Sequence, residues 1–328
     1  MMKIKQILLG FTLIMVLTAC GKVPPESVEI DDQIHIRLPM GYIPNVQYAP
    51  FYAAVEKGFF AEVGIDLEFD YSYETDGVAL VGANELQFSV VSGEQVPIAR
   101  AQGLPIVYVM AWYEKYPVAI ISETKHNIES PEDLAGKRVG LPGTFGANYV
   151  GLRALLGQVD LDESDLTLDS VGFNQVEVLA AGVDDAIVGY VTNEPIQLKA
   201  QGYELNTILV ADYLDLVSNG IITNEITIKE NPQLIRKMVS ATLKGIQFTV
   251  ENPQEAYEIC KKFVEGLEEA DQDVQMEVLL ASIDLYQTDP YGFSNSTAWS
   301  NMQEVLLKME LMKKEINLED AYTNEFSQ

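Results

Sequence analysis

The chain has 328 residues, 48% of them hydrophobic, with 49 acidic against 21 basic side chains and a formal charge of −28. Such a surface repels nucleic acid and gives free anions no long-range attraction; acids scattered along the chain rather than massed in one run read as a solvated face. The length suggests two lobes with ample core rather than one.

The opening stretch, MMKIKQILLGFTLIMVLTACGK, sets Lys3 and Lys5 before an apolar run at 7–17, then Leu17-Thr18-Ala19-Cys20. The run is too short for a spanning helix and reads as a secretory signal over residues 1–19. No other long apolar run follows, so the remainder is expected to be soluble and tethered. Small residues just before a cysteine resemble the lipobox of bacterial lipoproteins, which implies that Cys20 becomes the lipidated first residue of a mature chain. Acyl chains hold such an anchor at roughly 0.8 kcal/mol per buried CH₂. The implied location is the outer face of a bacterial cytoplasmic membrane, with 20–33 as a polar tether. Loss of Lys3 and Lys5 takes the charge to about −30. Once Cys20 is acylated only Cys260 remains, so no intramolecular disulfide is possible. Cys260 sits at helical spacing in EAYEICKKF and reads as a small buried hydrophobe.

From Ile34 the pattern is α/β. IHIRLPM alternates as a half-buried strand does, a helix follows at 50–57 with Pro50 in its first turn and Gly58 as its stop, and IDLEFDYS alternates again. Next come a helix near 75–83, a strand at LQFSVVS, a helix near 94–102 closed by Gly103, and a strand at PIVYVMAW. This order predicts a mostly parallel sheet. A second unit begins after VAIISE. SPEDLAGKRVGLPG has Ser130 as N-cap, Pro131 at the first helical position and Asp133 three residues on. A strand at KRVGL, a helix near 147–156, LTLDSVG, a helix near 175–181, DAIVGYV, a helix near 194–201 and NTILVAD complete a second doubly wound pattern. After SNGIITN the chain is almost wholly helical, at 232–250, 253–265, 272–287 and 297–313.

Two such lobes imply a cleft, and ligands of open α/β sheets bind beyond the carboxyl ends of strands, at helix N-termini. That rule selects 41–48, 92–95, 112–113, 142–146, 172–174 and 189–194, loops rich in aromatic, amide and glycine residues and poor in charge. The candidate ligand residues are Tyr42, Asn45, Tyr48, Ser92, Gln95, Trp112, Tyr113, Phe145 and Asn174. Core packing for the tyrosines and helix capping for Ser92 and Gln95 stand as alternatives.

GYIPNVQYAPFYAAVEKGFFAEVGIDLEF, SPEDLAGKRVGLP and GYVTNEPIQLKAQG resemble the solute-binding proteins of bacterial ABC importers in the thiamine-precursor, riboflavin and alkanesulfonate group, over residues 34–224. The resemblance implies a two-lobe clamp of the type II periplasmic-binding-protein fold: lobe one at 34–119 and 221–328, lobe two at 120–220, and hinges near 118–122 and 217–221. It implies a small-molecule ligand, an ABC permease as partner, a monomer and no cofactor. Sulfonate and nitrate relatives hold an oxyanion on backbone amides, whereas pyrimidine and flavin relatives stack a flat ring between aromatics and read its edge. GYVTNEP favours the second kind: it is similar to the segment of thiamine-pyrimidine binders in which asparagine and glutamate follow a tyrosine, and this adds Tyr190, Asn193 and Glu194, with Tyr190 displaced. The alternative role for Glu194 is to complement its helix dipole. TDGVALVGANELQFSVVSGEQ and GFNQVEVL resemble riboflavin-binding members more loosely. The open choices are a thiamine pyrimidine such as formylaminopyrimidine, riboflavin, an alkanesulfonate, or an orphan sensory receptor.

Enzyme readings are weak. There are two histidines, His35 in the first strand and His126 in a loop, and no Cys–His cluster at metal spacing. GTFGANYVG lacks the lysine of a phosphate loop. A eukaryotic branch of the same fold makes the thiamine pyrimidine from a histidine and carries a cysteine-rich motif absent here.

Overall fold

A computed structural model describes residues 33–286 and 290–328. The signal segment, Cys20 and most of the tether lie outside the described residues. In chain order the elements are β1 (Ile34–Gly41), α1 (Ala49–Glu56), α2 (Phe59–Glu62), β2 (Ile65–Tyr73), α3 (Glu74–Gly82), β3 (Ser89–Val91), α4 (Gln95–Ala101) and β4 (Ile106–Ala111). There follow β5 (Val118–Glu123), β6 (Arg138–Leu141), α5 (Gly146–Leu156), β7 (Thr167–Ser170), α6 (Gln175–Ala180), β8 (Ala186–Tyr190), α7 (Glu194–Ala200) and β9 (Leu205–Leu209). The chain ends with β10 (Gly220–Asn224), α8 (Glu225–Glu230), α9 (Pro232–Glu251), α10 (Pro253–Cys260), α11 (Gln272–Tyr286) and α12 (Ser296–Lys308).

One half carries the parallel pair β1–β2 and a three-stranded sheet ordered β3-β10-β4; the other carries a five-stranded sheet ordered β7-β6-β8-β5-β9. The chain passes between them twice, after β4 and after β9. Strand character follows burial. In β1, Ile36 and Leu38 are buried while His35 and Arg37 are exposed, and Leu38 stands opposite Phe69 of β2. Every residue of β4 is buried although it is an edge of its sheet, because the C-terminal segment covers that edge: the Tyr108 N–H donates to the Ala321 carbonyl at 2.9 Å and the Thr323 N–H to the Tyr108 carbonyl at 2.9 Å. The sheets are mixed rather than mostly parallel. β10 runs antiparallel to β3 and β4, and β5 antiparallel to β8 and β9; only β1–β2 and the β6 pairings are parallel. β5 and β10 are the strands reached by the two crossings, so each enters its sheet from the opposite end.

Three helical expectations are corrected. After Ser130 the chain makes a single 3-10 turn, Pro131–Leu134, with the capping box in place. α10 and α12 stop several residues early, at Cys260 and Lys308; beyond α12, Glu310 takes the left-handed conformation, which a continuing helix excludes. α12 packs against α5, Asn301 Nδ2 donates to the Asp215 carbonyl at 3.0 Å, and Trp299 stacks on Tyr322 at 4.8 Å. Cys260 is a free, fully buried thiol in the core beside Tyr257, and burial pushes it up from its ordinary value.

Candidate functional site

The loops at the carboxyl ends of the strands in both halves converge on a cavity that opens to solvent at its mouth. Of the twelve sequence-derived candidates, Tyr42, Tyr48, Ser92, Gln95, Trp112, Tyr113, Phe145, Tyr190, Asn193 and Glu194 line it. Asn45 and Asn174 do not. Asn45 accepts a hydrogen bond from the Gln47 N–H at 3.0 Å and caps the turn at 46–48, while Asn174 donates to the Val171 carbonyl at 3.1 Å and is exposed. An asparagine entering a helix satisfies an orphan backbone group as readily as a ligand.

Rings form much of the wall. Tyr48 stacks on Trp112 at 5.1 Å between centroids, Trp112 on Tyr113 at 4.3 Å, and Tyr113 on Tyr286 of α11 at 5.6 Å, so a ladder of near-parallel rings runs from the cavity into the core. Tyr48 is thus both core and wall; its hydroxyl donates to the Met40 carbonyl at 2.7 Å. Phe145 and Phe173 are the exposed rings of the second half, and Tyr42 meets Phe173 edge to face at 4.9 Å. The two halves also touch where Gln47 Nε2 donates to Thr192 Oγ1 at 2.6 Å and the Tyr190 hydroxyl reaches Asn219 Oδ1 at 3.2 Å.

Three glutamates stand at helix starts around the cavity, Glu94 and Glu194 buried and Glu74 half-buried. Glu194 opens α7; its Oε2 accepts the Tyr190 N–H at 2.7 Å and its Oε1 the Asn193 amide at 3.2 Å, while Asn193 Oδ1 accepts from Gln197 Nε2 at 2.8 Å. A Cβ at Gly189 would stand 2.7 Å from that carboxyl carbon, so the position opposite Glu194 has no room for a side chain. Glu74 opens α3, and Glu94 directly precedes α4. Ser92 joins the two: its backbone N–H donates to Glu74 Oε1 at 3.0 Å, and its hydroxyl lies 2.5 Å from Glu74 Oε2 and 2.6 Å from Glu94 Oε1. Gln95 Nε2 adds a bond to Glu94 Oε1 at 3.2 Å. The Glu74 side chain passes over Gly41, whose φ of +79° and 2.5 Å clearance to Glu74 Cγ leave no space for a Cβ. Burial raises all three carboxyls; for Glu74, burial together with nearby Glu94 pushes it up to about 8. Among the described residues, no lysine, arginine or histidine lines the cavity.

Sequence reasoning missed Glu74, Gln47, Tyr73, Phe173, Gln175 and Asn219, all of which line the cavity. Glu74 had a signal: it follows β2 at the start of a helix, the same strand-end position that selected the other loops. Phe173 lay inside a selected loop and was passed over for Asn174.

Comparison with known proteins agrees with this architecture. A riboflavin-binding protein, RibY, of Chloroflexus aurantiacus is 33% identical over 345 aligned positions, covering 99% of this chain and 98% of that protein. A formylaminopyrimidine-binding protein of Halalkalibacterium halodurans is 26% identical, covering 95% and 96%. More distantly, a 4-amino-5-hydroxymethyl-2-methylpyrimidine phosphate synthase of Legionella pneumophila is 22% identical, covering 89% and 92%. Among solved structures, the periplasmic aliphatic sulphonate binding protein SsuA of Escherichia coli superposes with a TM-score of 0.71 at 12% identity, covering 90% of this chain and 99% of that one, which fixes the two-lobe periplasmic-binding-protein fold. Residues 45–256 match the family model described as NMT1/THI5 like, and with a relative at 33% identity along the whole length, the chain belongs to the NMT1/THI5-like family.

Proposed function

We propose that this chain is the extracytoplasmic receptor of an ABC importer and that it captures a flat nitrogen heterocycle, riboflavin in the first place, between its lobes for delivery to a permease. The observation that carries the ligand class is the cavity's chemistry: ring walls, no cation among the described lining residues, and the carboxyl groups of Glu74 and Glu194 at the starts of α3 and α7. A sulfonate site needs helix N-termini free to face the oxyanion. Here Glu74, Glu94 and Glu194 stand at the starts of α3, α4 and α7, and among the described residues only the start of α5 at Gly146 lines the cavity without an acid at its cap or in its first turn, so an anion entering meets several carboxyl groups, whereas ring N–H groups and hydroxyls meet acceptors.

Riboflavin is favoured over formylaminopyrimidine by similarity. The fuller similarity is to the riboflavin-binding relative. In this reading Tyr42, Tyr48, Trp112, Tyr113, Phe145 and Tyr190 supply ring contacts, and Ser92, Gln95, Asn193 and Glu194 read polar edges. The chain is a binder rather than an enzyme, a monomer, and is anchored through acylated Cys20. Calorimetry with riboflavin, formylaminopyrimidine and a short alkanesulfonate tests the ligand class; tightest binding of the sulfonate would overturn it. For the anchor, Cys20→Ser is expected to release the mature protein from cell membranes on fractionation, and full retention would count against it.

A further inference from the structure

The contacts around Ser92 fix a proton count. Its hydroxyl carries one hydrogen, yet it lies at hydrogen-bond distance from a carboxylate oxygen of Glu74 and another of Glu94. With both glutamates ionised, one of those two short O···O contacts would set lone pair against lone pair. The geometry points to Glu74, Ser92 and Glu94 as a relay that holds a single proton and serves as the cavity's adjustable acceptor for ligand N–H and O–H groups.

Two arrangements are equivalent in proton content. In one, Glu74 is protonated and donates to Ser92 Oγ, while Ser92 donates to the Glu94 carboxylate, which also accepts from Gln95. In the other, Glu94 is protonated and donates to Ser92 Oγ, while Ser92 donates to Glu74, whose Oε1 already accepts the Ser92 backbone N–H. Glu74 lines the cavity and Glu94 does not. A ligand donor arriving at Glu74 selects the second arrangement: the Glu74 proton passes to Ser92 Oγ as the Ser92 proton passes to Glu94 Oε1. Two O–H bonds break, two form, and no proton enters or leaves the protein. The site thereby presents a carboxylate to a donor without keeping an exposed dianion when empty. The groups facing the pair are Tyr48 beside α1, Tyr116 in the first crossing and Tyr190 of β8, all held neutral by burial, with Glu194 on the far wall.

This rests on the heterocycle reading for the identity of the donor, but the proton is measured without ligand. Infrared difference spectra of the ligand-free protein at pH 7 are expected to show a protonated-carboxyl C=O band that is lost in both Glu74→Gln and Glu94→Gln. A band untouched by either change, or none at all, overturns the relay. The two variants freeze opposite arrangements, so their riboflavin affinities should diverge: Glu74→Gln at least tenfold weaker than the parent, Glu94→Gln several-fold tighter. Equal weakening by both, with circular dichroism unchanged, would make the pair a structural support and overturn the switch. If neither riboflavin nor formylaminopyrimidine binds the parent, the ligand assignment falls and the infrared result alone decides the relay.

Discussion

Glu194 is held by donors from Tyr190 and Asn193 before any ligand arrives, so its lone pairs are oriented at no further entropic cost on binding. A charge-assisted bond to such a carboxylate contributes roughly 1.5–3 kcal/mol, against about 0.5–1.5 kcal/mol for one aromatic pair. Glu194→Ala is therefore expected to weaken riboflavin binding about ten- to a hundredfold and Tyr42→Leu by less, since each 1.4 kcal/mol is a factor of ten. An unchanged affinity for Glu194→Ala in calorimetry would remove it from the site. At this scale the sequence was legible wherever the strand-end rule and the residue type agreed, as at Trp112 and Tyr113. It was not legible for Asn45 and Asn174, because an amide at a helix entry looks the same whether it caps the chain or faces a cavity. Nor was it for Glu74, whose chemistry comes from a partner twenty positions on, Glu94, that only folding brings near.

Among the elements, α9 rests on a capping asparagine: Asn231 Oδ1 accepts the Leu234 N–H at 3.2 Å and Pro232 fills the first helical position. The helix buries Leu234, Ile235, Met238 and Val239 against α1 and its neighbours, so its start transmits to the whole first-lobe core. Asn231→Ala should cost about 1 kcal/mol in urea unfolding while leaving ligand affinity as in the parent, because α9 contributes nothing to the cavity. Periodicity located nearly every helix and strand, since burial imposes it directly. Strand direction escaped it: β5 and β10 read as strands of the same apolar type as β4, and only the path of the two crossings makes them antiparallel. The same limit applied to helix ends at α10 and α12, where amphipathic spacing outruns the turn that stops the helix.

For the molecule as a whole, the halves meet at the cavity mouth through polar and aromatic contacts, Gln47 to Thr192 and Tyr42 to Phe173, and behind it through apolar packing of α7 on α11 and of α12 on α5. We place the lobe boundary at the two crossings, 112–117 and 210–219, and expect a ligand touching both lobes to shift the population toward this closed arrangement. Small-angle scattering should then give a smaller radius of gyration with saturating riboflavin; an unchanged radius would mean a rigid or preclosed receptor. Stability should also follow the buried acids. Glu74 is raised in the folded state to about 8, whereas unfolded it titrates near the ordinary glutamate value, so between those limits the folded chain binds the extra proton. Its contribution is complete at pH below the unfolded value and is lost as pH rises through about 8, with a slope of at most about 1.4 kcal/mol per pH unit. The Tm is expected to fall from pH 5 to pH 8.5, and less steeply in Glu74→Gln; equal slopes would show that other groups govern it.

The ring ladder also equips the protein with its own optical gauge. The chain has two tryptophans. Trp112 stacks between Tyr48 and Tyr113 on the cavity wall, and Trp299 is sealed against Tyr322 and Tyr108 in the core. A conjugated ligand lying against the first indole will quench its emission and leave the second as a constant internal standard. Titration with riboflavin should thus remove only part of the intrinsic fluorescence, and Trp112→Phe should abolish the part that responds while Trp299 continues to emit at every ligand concentration.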